Sequence, residues 1–341
     1  MTSRELVQAA VEFQNPPRAP RHMWLLPWVK MNLPEELARI QARFPDDIVV
    51  ASECLKVRPR TVGDPHRVGK YVDPWGCVFS NAQDGIIGEV KQPLVQDDDW
   101  EDVDRIHIPT EWLSVDIDQV NAFCAKEERY VLGVGRPRPF EQLQFIRGTE
   151  NLYMDLVDPP EKMLDFMQKM HRFYCDLLEV WAQTDVDGLR IMDDWGAQRS
   201  LLISPEMWRT YFKPMYADYA EIAHAHGKKI FMHSDGYILD IYPDLIEIGI
   251  DVLNSQLFCM GVENLAPYAG KICFWGEIDR QNLLPYGTPE QVEAAVKTVY
   301  DTLWKNGGCI AELEFGIGAK PENVEAAFAA WEALFPEAQG R

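Results

Sequence analysis

Two side chains that could do chemistry together, His233 and Asp235, follow the apolar run at residues 230–232 and precede Gly236. Because side chains alternate between the faces of a β-strand, His233 and Asp235 share one face, about 7 Å apart along the chain. An imidazole and a carboxylate that converge on one point suit a metal ligand pair or an acid/base pair. The alternative is a buried histidine that is hydrogen-bonded to its neighbour.

A pair of acids, Asp193 and Asp194, follows the predicted strand at residues 188–192 and precedes Trp195. Carboxyl groups at a strand end can position a polar group of a substrate or take part in proton transfer. Aspartates also cap helices and loops, so a purely structural role stays open for this pair.

Glutamates accompany two later predicted strands: Glu277 lies at the end of one, and Glu312 and Glu314 lie within the other. A carboxyl group among apolar residues is costly unless it is hydrogen-bonded, paired, protonated or bound to a metal. Glu277 could instead pair with Arg280. We expect at least one of Glu312 and Glu314 to face the interior.

Taken together, these strand ends offer one histidine and several carboxylates. Nitrogen and oxygen ligands favour a hard or borderline cation such as zinc. The same set of groups could equally carry out acid/base chemistry without a metal.

The elements that must position these groups alternate along the chain. Helical patterns, several with clear start signals, separate most of a series of short apolar runs at residues 130–135, 188–192, 229–233, 251–255, 272–276 and 309–315. Strands too apolar to face water, each followed by a helix, predict a parallel sheet covered by helices. About six units are visible with room for two more upstream, and no glycine-rich dinucleotide fingerprint follows a strand. We therefore predict a (β/α)8 TIM barrel rather than an open doubly wound sheet, with its chemistry at the carboxyl ends of the strands.

The domain prediction is a single barrel over residues 1–341 with two additions. Residues 1–65, rich in Pro and Arg, are predicted to be an irregular N-terminal extension. Residues 73–93 are predicted to form a β-hairpin insertion, because two β-prone runs flank an Asp-Gly turn at residues 84–85.

Composition narrows the classes of function. Lys+Arg number 33 and Asp+Glu number 54, a formal net charge of −21. Such a charge repels phosphates and anionic membrane surfaces, so neither nucleic acid nor a membrane is an expected partner. No run reaches the roughly 18 apolar residues of a membrane span. Seven cysteines without a C-x-x-C pair, and no visible export signal, indicate a cytoplasmic protein.

Several segments resemble the uroporphyrinogen decarboxylase superfamily. Residues 194–196, 202–208 and Pro214 are similar to its "D-x-W … S-P … F … P-Y" segment, and residues 233–236 are similar to its "H-x-x-G" strand end. Residues 316–324 resemble its last strand-to-helix junction, and the segment from Asp73 through the hairpin resembles its methyltransferase-like members. The resemblance covers most of the chain and implies a (β/α)8 barrel.

The resemblance implies one of two activities. One branch of the superfamily transfers a methyl group between a small substrate and a corrinoid protein, commonly with zinc. The other branch decarboxylates a polycarboxylated tetrapyrrole without a cofactor, using an arginine-rich N-terminal segment that residues 16–24 match only loosely. We expect a zinc-assisted methyltransferase that demethylates a small methoxylated, aromatic or otherwise methylated substrate and hands the methyl group to a corrinoid protein. The decarboxylase and a non-catalytic small-molecule-binding barrel are the alternatives.

Residue roles follow from the resemblance together with the strand ends. This chain has His233-Ser234-Asp235 where thiol-activating members have His-x-Cys, which predicts an oxygen-rich site. The expected catalytic residues are Asp194, His233 and Asp235. The candidate metal ligands are His233, Glu277, Glu312 and Glu314, and the candidate substrate-binding residues are Trp24, Arg136, Trp195 and Trp275, with Arg136 holding a substrate carboxylate.

Overall fold

The computed structural model describes residues 1–336, and its core is a barrel of parallel strands. The eleven strands in chain order are β1 (Arg21–Leu25), β2 (Ile48–Val50), β3 (Gly69–Val72), β4 (Val78–Asn81), β5 (Glu89–Val90), β6 (Tyr130–Leu132), β7 (Gly188–Met192), β8 (Lys229–Ser234), β9 (Val252–Ser255), β10 (Cys273–Trp275) and β11 (Cys309–Phe315). Eight of them form one sheet in the order β1-β11-β10-β9-β8-β7-β6-β2. The N–H of Asp47 donates to the Arg21 carbonyl at 2.8 Å and joins the two ends of that sheet. The predicted (β/α)8 barrel is therefore confirmed.

Fourteen α-helices of the described chain surround or close the barrel. They are α1 (Ser3–Val11), α2 (Pro27–Asn32), α3 (Pro34–Arg43), α4 (Ile117–Cys124), α5 (Pro139–Arg147), α6 (Thr149–Val157), α7 (Glu161–Ala182), α8 (Pro205–Tyr211), α9 (Lys213–Ala225), α10 (Tyr242–Glu247), α11 (Leu257–Met260), α12 (Leu283–Tyr286), α13 (Pro289–Leu303) and α14 (Pro321–Ala333). The start signals act as expected at α13, where Thr288 and Gln291 form a capping box. The helix predicted from Ser204 to His226 is instead split at Phe212, because Pro214 has no N–H to continue the ladder.

The N-terminal region differs from its prediction. Residues 1–65 are not irregular, since they contain the first two barrel strands and helices α1, α2 and α3. These strands escape sequence patterning because they are short and mixed: β1 carries Arg21 and His22, and β2 has only three residues. Strands β1 and β2 are the two upstream units needed to complete the eight-stranded barrel.

The predicted hairpin is present and gains a third strand. Strand β4 pairs antiparallel with both β3 and β5, so residues 69–90 form a small separate sheet. Its turn docks onto α2, where the N–H of Trp28 donates to the Gly85 carbonyl at 3.1 Å. A Cβ atom at Gly85, whose φ is +89°, would lie 2.5 Å from the Cα of Trp28. This close contact explains why the turn needs glycine at that position.

The inside of the barrel is apolar at its amino-terminal end. Val7 and Val11 of α1 pack into a buried cluster with inward residues of the strands, among them Tyr130, Phe231 and Trp275. Helix α1 therefore closes this end of the barrel. Polar chemistry is left to the opposite end, where the strands finish.

No helix among residues 1–336 is both long enough and apolar enough to cross a membrane.

Candidate functional site

The imidazole of His233 lies between two carboxylates at the carboxyl ends of β7 and β8. Its Nε2 atom is 3.5 Å from Oδ1 of Asp194 and 3.7 Å from Oδ1 of Asp235. The side chains of Asp194 and Asp235 are 37% and 29% exposed, so a ligand can reach them, whereas His233 is almost fully buried. The N–H of Asp235 donates to Asp194 Oδ1 at 2.9 Å and ties the two strand ends together. The structure thus brings together the three residues predicted to be catalytic.

Asn254, at the end of β9, determines which imidazole nitrogen faces the carboxylates. The Nδ2 amide of Asn254 donates to the Trp275 carbonyl and to Glu312 Oε2, so its Oδ1 is left as an acceptor. Nδ1–H of His233 donates to that oxygen. Nε2 is therefore directed at Asp194 and Asp235, either as a proton donor or as a metal ligand. Asn254 is fully buried and was not predicted, because nothing in its local sequence marks it.

Opposing effects act on the pKa of His233. Burial alone would lower this pKa, but the contact with Asp194 and the negative charges of Asp235, Asp194 and Glu277 outweigh burial. The pKa of His233 rises to about 10, so without a metal the imidazole is protonated at neutral pH. Asp194 changes in the opposite direction: burial would raise its pKa, yet His233 holds it below the ordinary value.

The neighbouring Asp193 has the structural role that the sequence left open for this pair. Its carboxylate is fully buried and accepts the N–H groups of Phe140 and Glu141, both at 2.7 Å, at the start of α5. It also accepts the hydroxyl of Tyr216 at 2.6 Å. Asp193 therefore caps α5 from the neighbouring strand, and Asp194 is the member of the pair that faces His233.

A second cluster, the Arg280 cluster, gathers the acids that end β8, β10 and β11. The guanidinium of Arg280 binds Asp235 through Nη2 and Glu314 through Nη1, the latter at 2.6 Å, and its Nε lies 3.4 Å from Glu277. Asp235 belongs to both groups, with Oδ1 facing His233 and Oδ2 facing Arg280. The predicted alternative for Glu277, a pair with Arg280, is the contact that the structure shows.

One guanidinium does not neutralise every buried acid around it. Burial raises the pKa of Glu277 to about 8 and raises that of Glu312 well above its ordinary value, with the negative charges of neighbouring acids adding to the effect. Both side chains are no more than 3% exposed, and each has an oxygen without a hydrogen-bond partner. Glu277 is therefore mostly protonated at neutral pH, and burial favours the protonated form of Glu312 as well.

The predicted metal ligands do not converge as a set. Of the four predicted ligands, only His233 belongs to a group that could hold a metal among the described residues. That group is His233, Asp194 and Asp235, whose ligand atoms all lie within 4.8 Å of one another. Glu277 and Glu314 form ion pairs with Arg280, and Glu312 accepts a hydrogen bond from Asn254. A second such group in the described chain consists of His171, Cys175 and Asp218 and lies between α7 and α9, away from the strand ends.

The three predicted tryptophans have different surroundings. Trp24, at the end of β1, stacks on His233 with ring centroids 4.7 Å apart and is partly exposed. Trp275 is fully buried in the apolar interior, where its indole N–H donates to His22 at 3.2 Å. Trp195 is also fully buried, and its ring stacks on Phe140 at 4.1 Å. Of the three, Trp24 alone offers a surface beside the His233 group.

Two arginines belong to neighbouring strands of the barrel: Arg136 follows β6, and Arg190 lies within β7. Arg136, predicted to hold a carboxylate of the substrate, already holds one, because its Nε and Nη2 atoms bind both oxygens of Glu53 at 3.1 and 2.7 Å. Arg190 was not predicted, since it lies within the strand and not at its end. Its guanidinium carbon lies 5.7 Å from the centre of the Trp24 ring.

This arrangement, a parallel barrel with ionisable groups at the carboxyl ends of its strands, defines the class of (β/α)8 barrel enzymes. Comparison with known proteins identifies the family: the model for uroporphyrinogen decarboxylase (URO-D) matches residues 75–334, and the chain belongs to that family.

Among solved structures, a methyltransferase from Methanosarcina mazei is similar over 98% of this chain and 99% of its own, with a TM-score of 0.66 and 15% identity. A weaker match is a B12-independent methionine synthase from a Shewanella species, with a TM-score of 0.48 and 12% identity over 67% of this chain and 68% of that one. No curated protein sequence matches the chain significantly. At 15% identity, the similarity to the Methanosarcina mazei methyltransferase supports the barrel fold.

Proposed function

We propose that this protein is a methyltransferase that removes the methyl group of a small methoxylated or otherwise methylated substrate and passes it to a corrinoid held by a separate protein, with zinc assistance. The observation that carries the proposal is the group formed by Asp194, His233 and Asp235, which combines one imidazole and two reachable carboxylates at the barrel mouth. The whole-length similarity of fold to a methyltransferase agrees with it.

The donor atoms of this group fit zinc. Tetrahedral zinc with nitrogen and oxygen ligands at 2.0–2.2 Å places the ligand atoms about 3.4 Å apart. The distances from His233 Nε2 to Asp194 and Asp235 are 3.5 and 3.7 Å. Three protein ligands leave one position for a substrate oxygen, as in catalytic zinc sites. His233, Asp194 and Asp235 would therefore hold the ion, and the glutamates of the Arg280 cluster would not.

The residues around the group supply orientation and charge. Zinc, when bound, would act as a Lewis acid toward the ether oxygen from which the methyl group departs, and the partner's reduced corrinoid would take the methyl group. Asn254 fixes the His233 ring, and Arg280 fixes Asp235, so neither ligand needs to reorganise during the reaction. Trp24 offers the substrate a flat apolar face beside His233. Glu277 keeps a proton at neutral pH near the mouth.

The decarboxylase alternative requires cations for a polycarboxylated substrate. The mouth instead gathers five acids from the ends of β7 to β11, namely Asp194, Asp235, Glu277, Glu312 and Glu314, and its Arg280 is already bound by three of them. Arg136 is held by Glu53. Of these arginines and Arg190, Arg190 alone pairs with no acid of the described residues, so the geometry favours a smaller substrate with few carboxylates.

The deciding experiment measures metal content and methyl transfer in the same preparations. We expect about one zinc per chain in the wild type and its loss in His233→Ala and Asp235→Ala. We also expect wild type to form methylcobalamin from cob(I)alamin and a methoxyarene. His171→Ala alters the second group, formed by His171, Cys175 and Asp218, and serves as the matched control. This variant should keep both the zinc and the activity.

Three outcomes would count against the proposal. Full methyl transfer by metal-free protein would show that the reaction does not need zinc. Release of CO2 from a porphyrinogen without methyl transfer would show that the protein is a decarboxylase. Substrate binding with neither reaction would indicate a non-catalytic barrel.

A further inference from the structure

Arg190 is a charged side chain inside the barrel mouth without a counter-charge. It lies on β7 in register with Phe231 of β8, whose ring belongs to the apolar interior, so both side chains face inward. Its guanidinium forms no ion pair and no hydrogen bond with any of residues 1–336, and its Nε atom is completely buried. In a chain with a net charge of −21, a cation without an acid is a local exception.

No acid near Arg190 compensates its charge within the described residues. Burial, followed by the positive charge of Arg136, lowers the pKa of Arg190 to about 10, and no acid opposes this change. The group still carries its charge at neutral pH. Gly135 of the neighbouring strand end gives the side chain its space, because a Cβ atom there would lie 2.6 Å from Arg190 Nε. Arg190 is half-buried, and its buried Nε has no hydrogen-bond partner among residues 1–336. A desolvated, unpaired donor is unfavourable, and a bound anion would remove that penalty.

We propose that Arg190 anchors the substrate through a carboxylate, and that the substrate is a small planar, aromatic acid. The guanidinium can bind a carboxylate through two parallel N–H groups, and the Trp24 ring beside it provides the matching flat surface. Because Trp24 also stacks on His233, an acid held by Arg190 and lying along Trp24 extends toward the His233 group. This inference deepens the proposed function by naming its substrate class, and it rests on that function only for the reaction that follows binding.

Binding of simple probes tests the anchor without any methyl transfer. Benzoate and benzyl alcohol have similar size and differ in charge, so calorimetric titration of both isolates the contribution of the carboxylate. We expect wild type to bind benzoate more tightly than benzyl alcohol, and Arg190→Gln to weaken benzoate by about tenfold or more with little change for the alcohol. Arg190→Lys should retain part of the preference, and Arg136→Gln should retain most of it.

The anchor is overturned if wild type shows no preference for benzoate, or if Arg190→Gln keeps that preference. Tight binding of inorganic phosphate in place of benzoate would overturn the assignment of a carboxylate. Circular dichroism verifies that each variant is folded, so a loss of binding through misfolding is recognised. If Arg190→Gln is misfolded, the benzoate preference of the conservative Arg190→Lys variant tests the anchor instead. Benzoate binding without methyl transfer would refute the proposed function and leave the anchor intact.

Discussion

The two sides of the barrel mouth differ in how their arginine side chains are paired. On the side formed by β8, β10 and β11, one guanidinium, Arg280, is bound by Asp235, Glu277 and Glu314. On the side formed by β6 and β7, Arg190 has no acid among residues 1–336. Arg280 is paired within the protein, whereas the guanidinium of Arg190 is left for a ligand. The comparison separates groups that hold the site together from groups that await a substrate.

The largest expected effect comes from removing the two arginines in turn. Arg280→Met leaves three partly or fully buried acids without their cation, and should lower the free energy of unfolding by about 3–5 kcal/mol. Arg190→Met removes a charge that pairs with no acid among residues 1–336, so stability should stay unchanged or increase. Urea unfolding measures both variants.

Arg136→Met is the matched control for this pair of variants. Its ion pair with Glu53 is about a third exposed, so the change should stay within about 1 kcal/mol. A stability loss in Arg190→Met as large as that in Arg280→Met would mean that Arg190 has an internal role and that the two sides do not differ.

A glycine on the acidic side should be nearly as sensitive. A Cβ atom at Gly276, whose φ is +70°, would lie 1.9 Å from Glu312 Oε2. Since Glu312 is buried and bound by Asn254, it cannot move aside. Gly276→Ala should cost at least about 2 kcal/mol and reduce methyl transfer. Gly227→Ala tests the backbone cost alone, because Gly227 has a similar φ of +67° and open space around it; equal losses in both variants would deny the contact with Glu312.

The acidic side also predicts a pH dependence. The pKa of Glu277 is about 8 in the folded protein and returns to the ordinary value of about 4.5 in the unfolded chain, so the folded state binds the extra proton. Stability from this group is present below pH 4.5 and is lost as pH rises toward 8, with a slope of at most about 1.4 kcal/mol per pH unit. Glu277→Gln removes this slope between about pH 5 and 8. Unfolding curves at several pH values in wild type and variant give the difference, and parallel curves would contradict the raised pKa.

Much of the barrel could be predicted from the sequence because its central strands are apolar, bounded and followed by clear helix starts. Strands β7 and β11 have the predicted bounds, and the capping box at Thr288 opens α13. The strands β1 and β2 could not be recognised in this way. The inward positions of β1 carry His22 and Trp24, which serve the mouth of the barrel and break the apolar pattern.

The site was predictable where it depends on strand alternation and not where it depends on long side chains. His233 and Asp235 share the predicted face, but the position of Arg280 among the acids follows from a flexible side chain that reaches across strands. The occupied state of Arg136 was hidden because its partner, Glu53, lies in the segment that was predicted to be irregular. Arg190 could not be predicted as a site residue, because it lies in the middle of β7 and the prediction considered only residues at strand ends.

The smallest effect should come from the glycine on the cationic side. Gly135→Ala brings a Cβ atom to within 2.6 Å of Arg190 Nε, which is as plain a clash as the one at Gly276. The obstructing atoms, however, belong to a flexible side chain that pairs with no acid of the described residues, so the side chain can shift. We expect a stability change below about 1 kcal/mol and a loss of benzoate affinity of about threefold to tenfold, because the anchor is displaced.

Urea unfolding and calorimetric titration of Gly135→Ala, beside Gly276→Ala, measure these two effects on the same scale. If Gly135→Ala destabilises the protein as strongly as Gly276→Ala, the Arg190 side chain is fixed by the protein and not by its ligand. If benzoate affinity is unaffected, the carboxylate does not contact that guanidinium. Either result would remove the difference between the two sides, because that difference depends on the Arg190 guanidinium being free to move toward an anion.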